Sequence, residues 1–230
     1  MAEGQTAGSK EQREILDSSL LALSSRLRIW LWVFLMVLIP CRVLSSQTFK
    51  VSLVIDGDTI VLSNGEHVRY IGINAPEIAH EDNPAEYYGE EAHRFNKKLA
   101  ENKWVRLEYD IEKKDQYGRL LAYVFLLDGT FLNGELVKYG YAYVLSKPPN
   151  LKYNRLLLEL QQNAIKKKRG LWARKVTESE LFYIGNKRSR RFHRPQCPYG
   201  QRIAPHNRII FKNKKVVFEA GYSPCKRCRP

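Results

Sequence analysis

The sequence is short of cysteine and of long apolar runs. Only four of its 230 residues are cysteine, and its longest uninterrupted apolar run is residues 29–39. A membrane-spanning helix usually needs about 20 apolar residues, whereas the core of a signal peptide needs about 7–15. The length of the run therefore favours a signal sequence over a spanning helix.

The N-terminal part has no pattern typical of a folded domain. Residues 1–28 are polar and of mixed charge, so we expect a disordered lead. We interpret residues 29–46 as a signal sequence cleaved near Ser45–Gln47. The alternatives are an uncleaved membrane anchor through residues 29–44 and a buried core helix. Two arginines precede the apolar run, which favours a location outside the cytoplasm, secreted or membrane-anchored, for the rest of the chain.

Acidic residues are scarce at the C-terminus. The whole chain carries a net charge of +14, and residues 174–230, with 15 Lys and Arg against 3 Asp and Glu, account for +12 of it. A basic segment of this density is typical of proteins that bind nucleic acid or an anionic membrane surface. A solvated basic face is the alternative. With 44% hydrophobic residues, the chain is long enough for one buried domain and a smaller module.

Residues 53–70 have the pattern of a β-meander. Apolar residues alternate along three short segments, and Asp56-Gly57 and Asn64-Gly65 separate them. Both dipeptides accept the positive φ of tight turns, so three antiparallel strands are expected. Asp58 follows the first turn and Glu77 follows the third strand, so the two carboxylates can converge at one end of the sheet.

The remaining periodic segments predict an α+β domain. Strands are expected at Lys103–Asp110 and Leu120–Leu127, which completes a five-stranded barrel. Helices are expected at Glu86–Glu101, Phe131–Tyr139 and Leu151–Arg169, and the last is expected to end at a glycine. The loop between the last two strands carries Tyr117 and Arg119.

Four ordered motifs resemble those of the staphylococcal (micrococcal) nuclease family. They are Ile55–Thr59, Arg69–Glu77, Tyr88–Ala92 and Tyr117–Tyr123. The resemblance covers roughly residues 48–173 and implies an OB-type five-stranded β-barrel with helices. It also implies a calcium-dependent phosphodiesterase that acts on DNA and RNA.

The resemblance also implies roles for individual residues. Asp58, the amide oxygen of Asn74 and the carbonyl of Ala75 are expected to hold calcium, although Asn74 stands where the family usually has aspartate. The resemblance implies that Glu77 orients or deprotonates the attacking water. It assigns the binding of phosphate oxygens to Arg69 and Arg119, and contact with a substrate phosphate to Tyr117.

A second motif lies beyond Trp172. His193 and Cys197 are followed, after a gap, by Cys225 and Cys228. Three thiolates and one imidazole suit a closed tetrahedral zinc site, and zinc would supply folding energy to so short a module. The competing interpretation is a disulfide framework. The segment resembles the small metal-binding domain of the Ada DNA-repair protein, but with His193 in place of one cysteine, so binding rather than repair is inferred.

The sequence thus predicts four segments: a lead (1–28), a signal or anchor (29–46), a nuclease-like barrel (47–173) and a basic Cys3His zinc module (174–230). The predicted function is an exported or membrane-anchored calcium-dependent nuclease. The alternative is a non-catalytic nucleic-acid-binding protein, for example an envelope factor in DNA uptake. An intact set of Arg69, Glu77 and Arg119 favours the enzyme, because a pure binder has no need of the glutamate.

Overall fold

The structure is a computed structural model that describes residues 47–79, 84–174 and 180–230. The predicted lead and the predicted signal sequence or anchor lie outside the described residues. Within the described ranges, no helix is long and apolar enough to cross a membrane.

The N-terminal part of the described chain alternates short strands with helices. Its strands are β1 (Thr48–Val54), β2 (Thr59–Leu62), β3 (His67–Tyr70), β4 (Ile73–Asn74), β5 (Trp104–Glu108), β6 (Leu120–Leu126) and β7 (Tyr143–Val144). Its helices are α1 (Gly89–Ala100), α2 (Leu132–Lys138) and α3 (Asn154–Lys166), followed by a 3-10 turn at Gly170–Trp172. Each helix starts later and ends earlier than the periodicity predicts, because apolar spacing does not reveal where the helical backbone stops.

The predicted five-stranded barrel is confirmed. It closes in the order β1-β2-β3-β6-β5. Val51, Ile60, Val68 and Val105 each have no exposed surface and form part of its core. Since alternate residues of a strand point to opposite faces, burial of Val68 and Tyr70 directs the intervening Arg69 away from the core.

The barrel brings two separated arginines together. β3 and β6 are the parallel pair, with Val68 opposite Leu120 and Arg69 opposite Leu121. Arg119 immediately precedes β6, so both arginines reach the same face of the barrel. The parallel pairing joins the two family motifs.

Gly57 has a different role from the one its sequence predicts. The Asn64-Gly65 turn does use a positive φ, 85° at Gly65, but Gly57 is not among the residues with positive φ. A Cβ at Gly57 would instead collide with the Cβ atoms of Ala75 and Ala92. Its missing side chain lets the turn before Asp58 pack against the strand end that carries Ala75.

The C-terminal part forms a small sheet in the order β10-β8-β9-β11. Its strands are β8 (Tyr183–Asn186), β9 (Arg191–His193), β10 (Arg208–Phe211) and β11 (Ser223–Pro224). Its helices are α4 (Pro198–Gln201) and α5 (Lys214–Glu219), with a 3-10 turn at Pro205–Asn207. The core of this sheet consists of five buried residues, Tyr183, Phe192, Phe211, Val217 and Tyr222.

The C-terminal sheet packs against the barrel through α5 and α3. The ring of Phe218 lies 5.9 Å from that of Tyr143 and 5.0 Å from that of Trp172. The buried Gln161 amide accepts from the Val144 N–H and donates to the Phe218 carbonyl at 2.5 Å. A buried amide with both ends bonded favours one relative placement of the two parts, because any other would leave it unsatisfied.

Candidate active site and metal centre

The turn that carries Asp58 is held by side-chain hydrogen bonds. The Asp58 N–H donates to Asp56 Oδ1 at 2.8 Å, which is an Asx turn. Asn96 of α1, itself fully buried, donates to the Asp56 carbonyl at 3.0 Å. The helix therefore fixes the position of Asp58 directly before β2.

Asp58, Arg69 and Asn74 form one buried cluster. Arg69 Nη2 lies 2.8 Å from Asp58 Oδ2 and donates to Asn74 Oδ1 at 3.1 Å. The Ala75 N–H donates to Asp58 Oδ2 at 2.6 Å. Three of the residues that the sequence selects for metal and phosphate chemistry are thus joined through Arg69, and Ala75 is added by its backbone N–H, which contacts Asp58.

The protonation of Asp58 reflects its burial. Burial raises the pKa of Asp58 to about 7, although the Arg69 guanidinium beside it acts in the opposite direction. Desolvation penalises the charged form of a carboxyl group, and one arginine does not offset it here. A bound cation would supply the missing positive charge, so this carboxylate has the electrostatics of a metal ligand.

The donor set around Asp58 fits a hard cation. Calcium prefers oxygen ligands, and the cluster offers the Asp58 carboxylate, the Asn74 amide oxygen and the Ala75 carbonyl. Asn74 Nδ2 donates to the Ala75 carbonyl and to the Tyr143 hydroxyl, each at 2.9 Å. With the amide turned over, Asn74 Oδ1 and the Ala75 carbonyl would both be available to hold a cation, at the cost of the hydrogen bond from Arg69.

Arg119 is placed by a partner that the sequence does not single out. Its guanidinium makes two contacts of 2.8 Å with Asp115 Oδ2, through Nε and Nη2. Asp115 Oδ1 also accepts from the N–H groups of Tyr117 and Arg119. Burial alone would raise the pKa of Asp115, but these hydrogen bonds outweigh it and lower that pKa. Asp115 is therefore a positioning residue; its spacing, four residues before an arginine with a glycine between, is the signal for it.

Arg69 and Arg119 line the same cavity of about 370 Å³. Tyr117 also lines it and is 75% exposed. Glu77 lies beside it in a neighbouring cavity, and Asn74 lines both. The Glu77 carboxylate is close enough to Asp58 to contribute to its raised pKa.

The C-terminal cysteines and His193 form a cluster with the composition of a zinc site. The ligand atoms of His193, Cys197, Cys225 and Cys228 all lie within 4.8 Å of one another, and the three thiols are free. His193 Nδ1 is 3.4 Å from Cys197 Sγ. Three sulfurs and one imidazole nitrogen are the ligand set of closed structural zinc sites, so the cluster fits zinc and leaves no position for substrate.

Burial and neighbouring groups shift the pKa of three of these ligands, His193, Cys197 and Cys228. Burial, assisted by the charge of Arg191, lowers the pKa of His193. Burial acts to raise the pKa of Cys197, but the N–H groups of Gly200 and Tyr199 outweigh it and lower that pKa. These two shifts favour the proton-free forms that bind metal, whereas burial raises the pKa of the Cys228 thiol to about 12, so that thiol would lose its proton only with the charge of a bound metal beside it.

Comparison with known proteins gives two family matches along the chain. A family model described as "Staphylococcal nuclease homologue" matches residues 67–174, and one described as "Metal binding domain of Ada" matches residues 167–230. Both resemblances predicted from the sequence motifs are thereby confirmed.

Individual relatives agree with the first match. A thermonuclease of Staphylococcus intermedius is 45% identical over 131 residues, which is 56% of this chain and 77% of the relative. A thermonuclease of Staphylococcus hyicus is 42% identical over 132 residues, 56% of this chain and 78% of the relative. An endonuclease of Bacillus subtilis is 38% identical over 125 residues, 52% of this chain and 59% of the relative.

Barrel topology, the Asp58–Arg69–Asn74 cluster and these similarities lead to one conclusion: the chain belongs to the staphylococcal nuclease family and carries an Ada-type zinc-binding region at its C-terminus.

Proposed function

We propose that this protein is a calcium-dependent nuclease that hydrolyses the phosphodiester bonds of DNA, RNA or both. The observation that carries the proposal is the shared cavity of Arg69 and Arg119, with the buried Asp58 carboxylate directly behind Arg69. Two guanidinium groups beside an oxygen-rich cation site are suited to a phosphodiester, whose charge increases in the transition state. Membership of a hydrolase family supports the same conclusion.

Asp58, Asn74 and the Ala75 carbonyl would hold the calcium. When bound there, calcium would supply Lewis-acid polarisation of a phosphoryl oxygen. Asp58 would contribute the negative charge, while Asn74 would contribute only a dipole. We therefore expect weak calcium binding, in the range of about 10⁻⁴–10⁻³ M that is typical of extracellular sites.

Arg69 and Arg119 would neutralise charge on the phosphoryl oxygens. Asp115 keeps the Arg119 guanidinium in one orientation, which reduces the reorganisation needed when a phosphate arrives. Loss of one donor of this kind costs roughly 3–4 kcal/mol in oxyanion sites, or about 10²–10³ in rate. Tyr117, on the exposed rim, would contact a substrate phosphate.

Glu77 would orient or deprotonate the attacking water. Its side chain is 46% exposed and so remains accessible to solvent. It lines the neighbouring cavity, which shares Asn74 with the cavity of the two arginines. A carboxylate near a cation site and two phosphate-binding arginines is an arrangement that hydrolysis needs and that simple binding does not.

The deciding experiment measures cleavage of DNA and of RNA by the full chain with calcium and with a chelator. We expect calcium-dependent cleavage, and a loss of about two orders of magnitude or more in both Glu77→Gln and Arg119→Ala with retained thermal stability. Exposed Glu90→Gln is the matched control and should cleave at the parental rate. Binding without any cleavage would favour the non-catalytic alternative, and parental rates in the two variants would contradict the assigned roles.

We also propose that the chain works outside the cytoplasm, secreted or held in a membrane through residues 29–44. The apolar run preceded by Arg26 and Arg28 supports this, and a weak calcium site is suited to extracellular calcium concentrations. N-terminal sequencing of the protein from the culture medium and from membranes tests it. A mature N-terminus near Ser45–Gln47 would indicate a cleaved signal, and an intact chain in the cytoplasm would contradict export.

The proposed organisation is a nuclease domain at 47–173 followed by a zinc module at 174–230. The ends of the two family matches, at residue 174 and from residue 167, support a boundary in this region. The module would hold nucleic acid near the barrel through its basic residues. Limited proteolysis tests this organisation. A boundary in this region predicts that the first cleavage occurs close to residue 174.

A further inference from the structure

The cavity that contains Arg69 and Arg119 has walls from both parts of the protein. Most of its lining comes from the barrel, but Arg191 and Lys226 belong to the zinc-binding region. Since α5 packs on α3, the barrel site and the zinc region meet at this cavity. The C-terminal region therefore contributes part of the lining of the cavity that contains the two barrel arginines.

Arg191 is rigidly placed and keeps its charge available. It lies on β9, and its Nη1 donates to the carbonyl of Pro224 at 2.9 Å. Among the described residues, no carboxylate is within ion-pairing distance of its guanidinium, whereas Arg69 and Arg119 are both paired with aspartates. Arg191 is also close enough to the barrel to act electrostatically on Tyr143, the residue that contacts Asn74.

Lys226 faces the proposed general base. Its Nζ lies 3.7 Å from Glu77 Oε1, and its side chain is 72% exposed. An ion pair this exposed contributes little to stability, so a phosphate can compete for the lysine at little cost. Lys226 also lines both cavities, and it thus stands between Glu77 and the two barrel arginines.

Both residues are anchored by the zinc ligands. Arg191 is two residues before His193 on the same strand, and Lys226 directly follows Cys225. Pro224, which accepts the hydrogen bond from Arg191, directly precedes Cys225. Folding of the Cys3His cluster therefore determines where these two positive charges lie.

We infer that Arg191 and Lys226 are substrate-binding residues of the nuclease site, which hold backbone phosphates adjacent to the phosphodiester that is cleaved. The inference rests on the proposed nuclease function. The zinc region completes the active site, and it acts on affinity for nucleic acid rather than on the bond-breaking step. The barrel arginines are already paired with Asp58 and Asp115, so the additional phosphates of a polymer require cations from elsewhere.

The test compares Arg191→Ala and Lys226→Ala in the full chain with Arg188→Ala and Arg227→Ala. The two controls remove the same charge from exposed positions of the same region that line neither cavity. Steady-state cleavage of a single-stranded oligonucleotide should show KM raised about tenfold in each test variant, with kcat within about threefold of the parent, because a charge-assisted contact is lost from ground and transition states alike. The salt slope of binding without calcium should fall by about 0.7 for each lost contact.

Zinc content and thermal stability are measured for every variant. Should an alanine variant lose zinc, a longer side chain replaces the alanine: Arg191→Lys, which keeps the charge, or Lys226→Gln, which removes it. Arg191→Lys should bind the oligonucleotide more tightly than Lys226→Gln. If the test variants match their controls in KM and salt slope while the parent cleaves, the inference is wrong and the proposed function stands. Faster cleavage by Lys226→Ala would also overturn it, since the lysine would then be restraining Glu77. If the parent does not cleave, the proposed function fails, and equal salt slopes in all variants would overturn the inference as well.

Discussion

Asn74 is the residue that most distinguishes this site. Its amide accepts from Arg69 and donates to the Ala75 carbonyl and the Tyr143 hydroxyl, so both ends of the amide are hydrogen-bonded. An aspartate at this position would lack the donor but would add a negative charge close to Asp58. The charge of the cluster, and with it the affinity for calcium, therefore depends on this one amide.

We predict that Asn74→Asp lowers the calcium concentration for half-maximal cleavage by about tenfold, equivalent to about 1.4 kcal/mol. The added carboxylate attracts the cation directly, while Asp58 and Glu77 stay in place. The measurement is a calcium titration of the initial rate, accompanied by the calcium-dependent rise in Tm, which reports binding independently of activity. Asn163→Asp, an exposed amide on α3, is the control. Coincident curves for parent and Asn74→Asp would show that Asn74 is not a ligand.

At the scale of elements, Glu108 joins β5 to the start of α3. Its Oε1 accepts from the Tyr153 hydroxyl at 3.0 Å and lies 2.6 Å from Lys152 Nζ. Burial acts to raise the pKa of Glu108, but hydrogen bonds from Lys152, Tyr153 and Arg106 outweigh it and lower that pKa. The carboxylate form is thus favoured in the folded protein.

We predict that Glu108→Gln lowers the free energy of unfolding by about 1 kcal/mol at pH 7. A carboxyl group with a lowered folded-state pKa stabilises the protein above its unfolded-state value, 4.5, and loses this contribution as the pH falls through the folded-state value. The difference between parent and variant should therefore shrink below about pH 4. Thermal unfolding at pH 7 and pH 3 measures it. Exposed Glu90→Gln should change stability by less than about 0.5 kcal/mol. A pH-independent effect at Glu108 would contradict the electrostatic explanation.

The zinc cluster is a second element for which a substitution should have a specific, measurable effect on folding. The C-terminal sheet has a core of only five buried residues, so metal binding is expected to supply much of its folding energy. We predict that Cys225→Ser abolishes binding of one zinc per chain and unfolds this sheet, while the barrel stays folded. Elemental analysis and far-UV circular dichroism measure these effects. His206→Ala, an exposed histidine of the same region outside the cluster, should retain full zinc. A disulfide and no zinc in the parent would favour the rival framework.

At the scale of the whole molecule, most of the net positive charge lies in the C-terminal part, which also packs against the barrel. The segment 174–230 carries a net charge of +12, and it covers the barrel residues Tyr143, Trp172 and Gln161 through Phe218. Its removal would take away most of the positively charged side chains whose contacts with nucleic acid release counterions. It would also leave the buried Gln161 amide without the Phe218 carbonyl that accepts its hydrogen bond. Binding and stability should therefore change together.

We predict that deletion of 174–230 weakens binding to nucleic acid, flattens the dependence of log K on log salt, and lowers the Tm of the barrel. A chain that begins at residue 47 is the control, because residues 1–46 carry a net charge of only +1. Fluorescence binding without calcium at several salt concentrations gives the slopes. An unchanged slope in the C-terminal deletion would contradict a role of this segment in binding.

The sequence by itself determined the elements whose signals are local. Alternating apolar residues predicted the barrel strands, and the spacing of His193, Cys197, Cys225 and Cys228 predicted the zinc cluster. These predictions succeed because strand periodicity and ligand spacing are properties of neighbouring residues. The family motifs likewise selected Asp58, Arg69 and Asn74, which the fold joins into one cluster.

Only the tertiary structure decided what depends on distant parts of the chain. The collision that requires glycine at position 57 involves Ala75 and Ala92, and neither is visible from the Asp-Gly dipeptide. The approach of Arg191 and Lys226 to the barrel arginines depends on the packing of α5 against α3, through pairs such as Gln161 and Phe218 that are 57 residues apart. Such contacts arise from shape and hydrogen bonding between finished elements, and no local pattern encodes them.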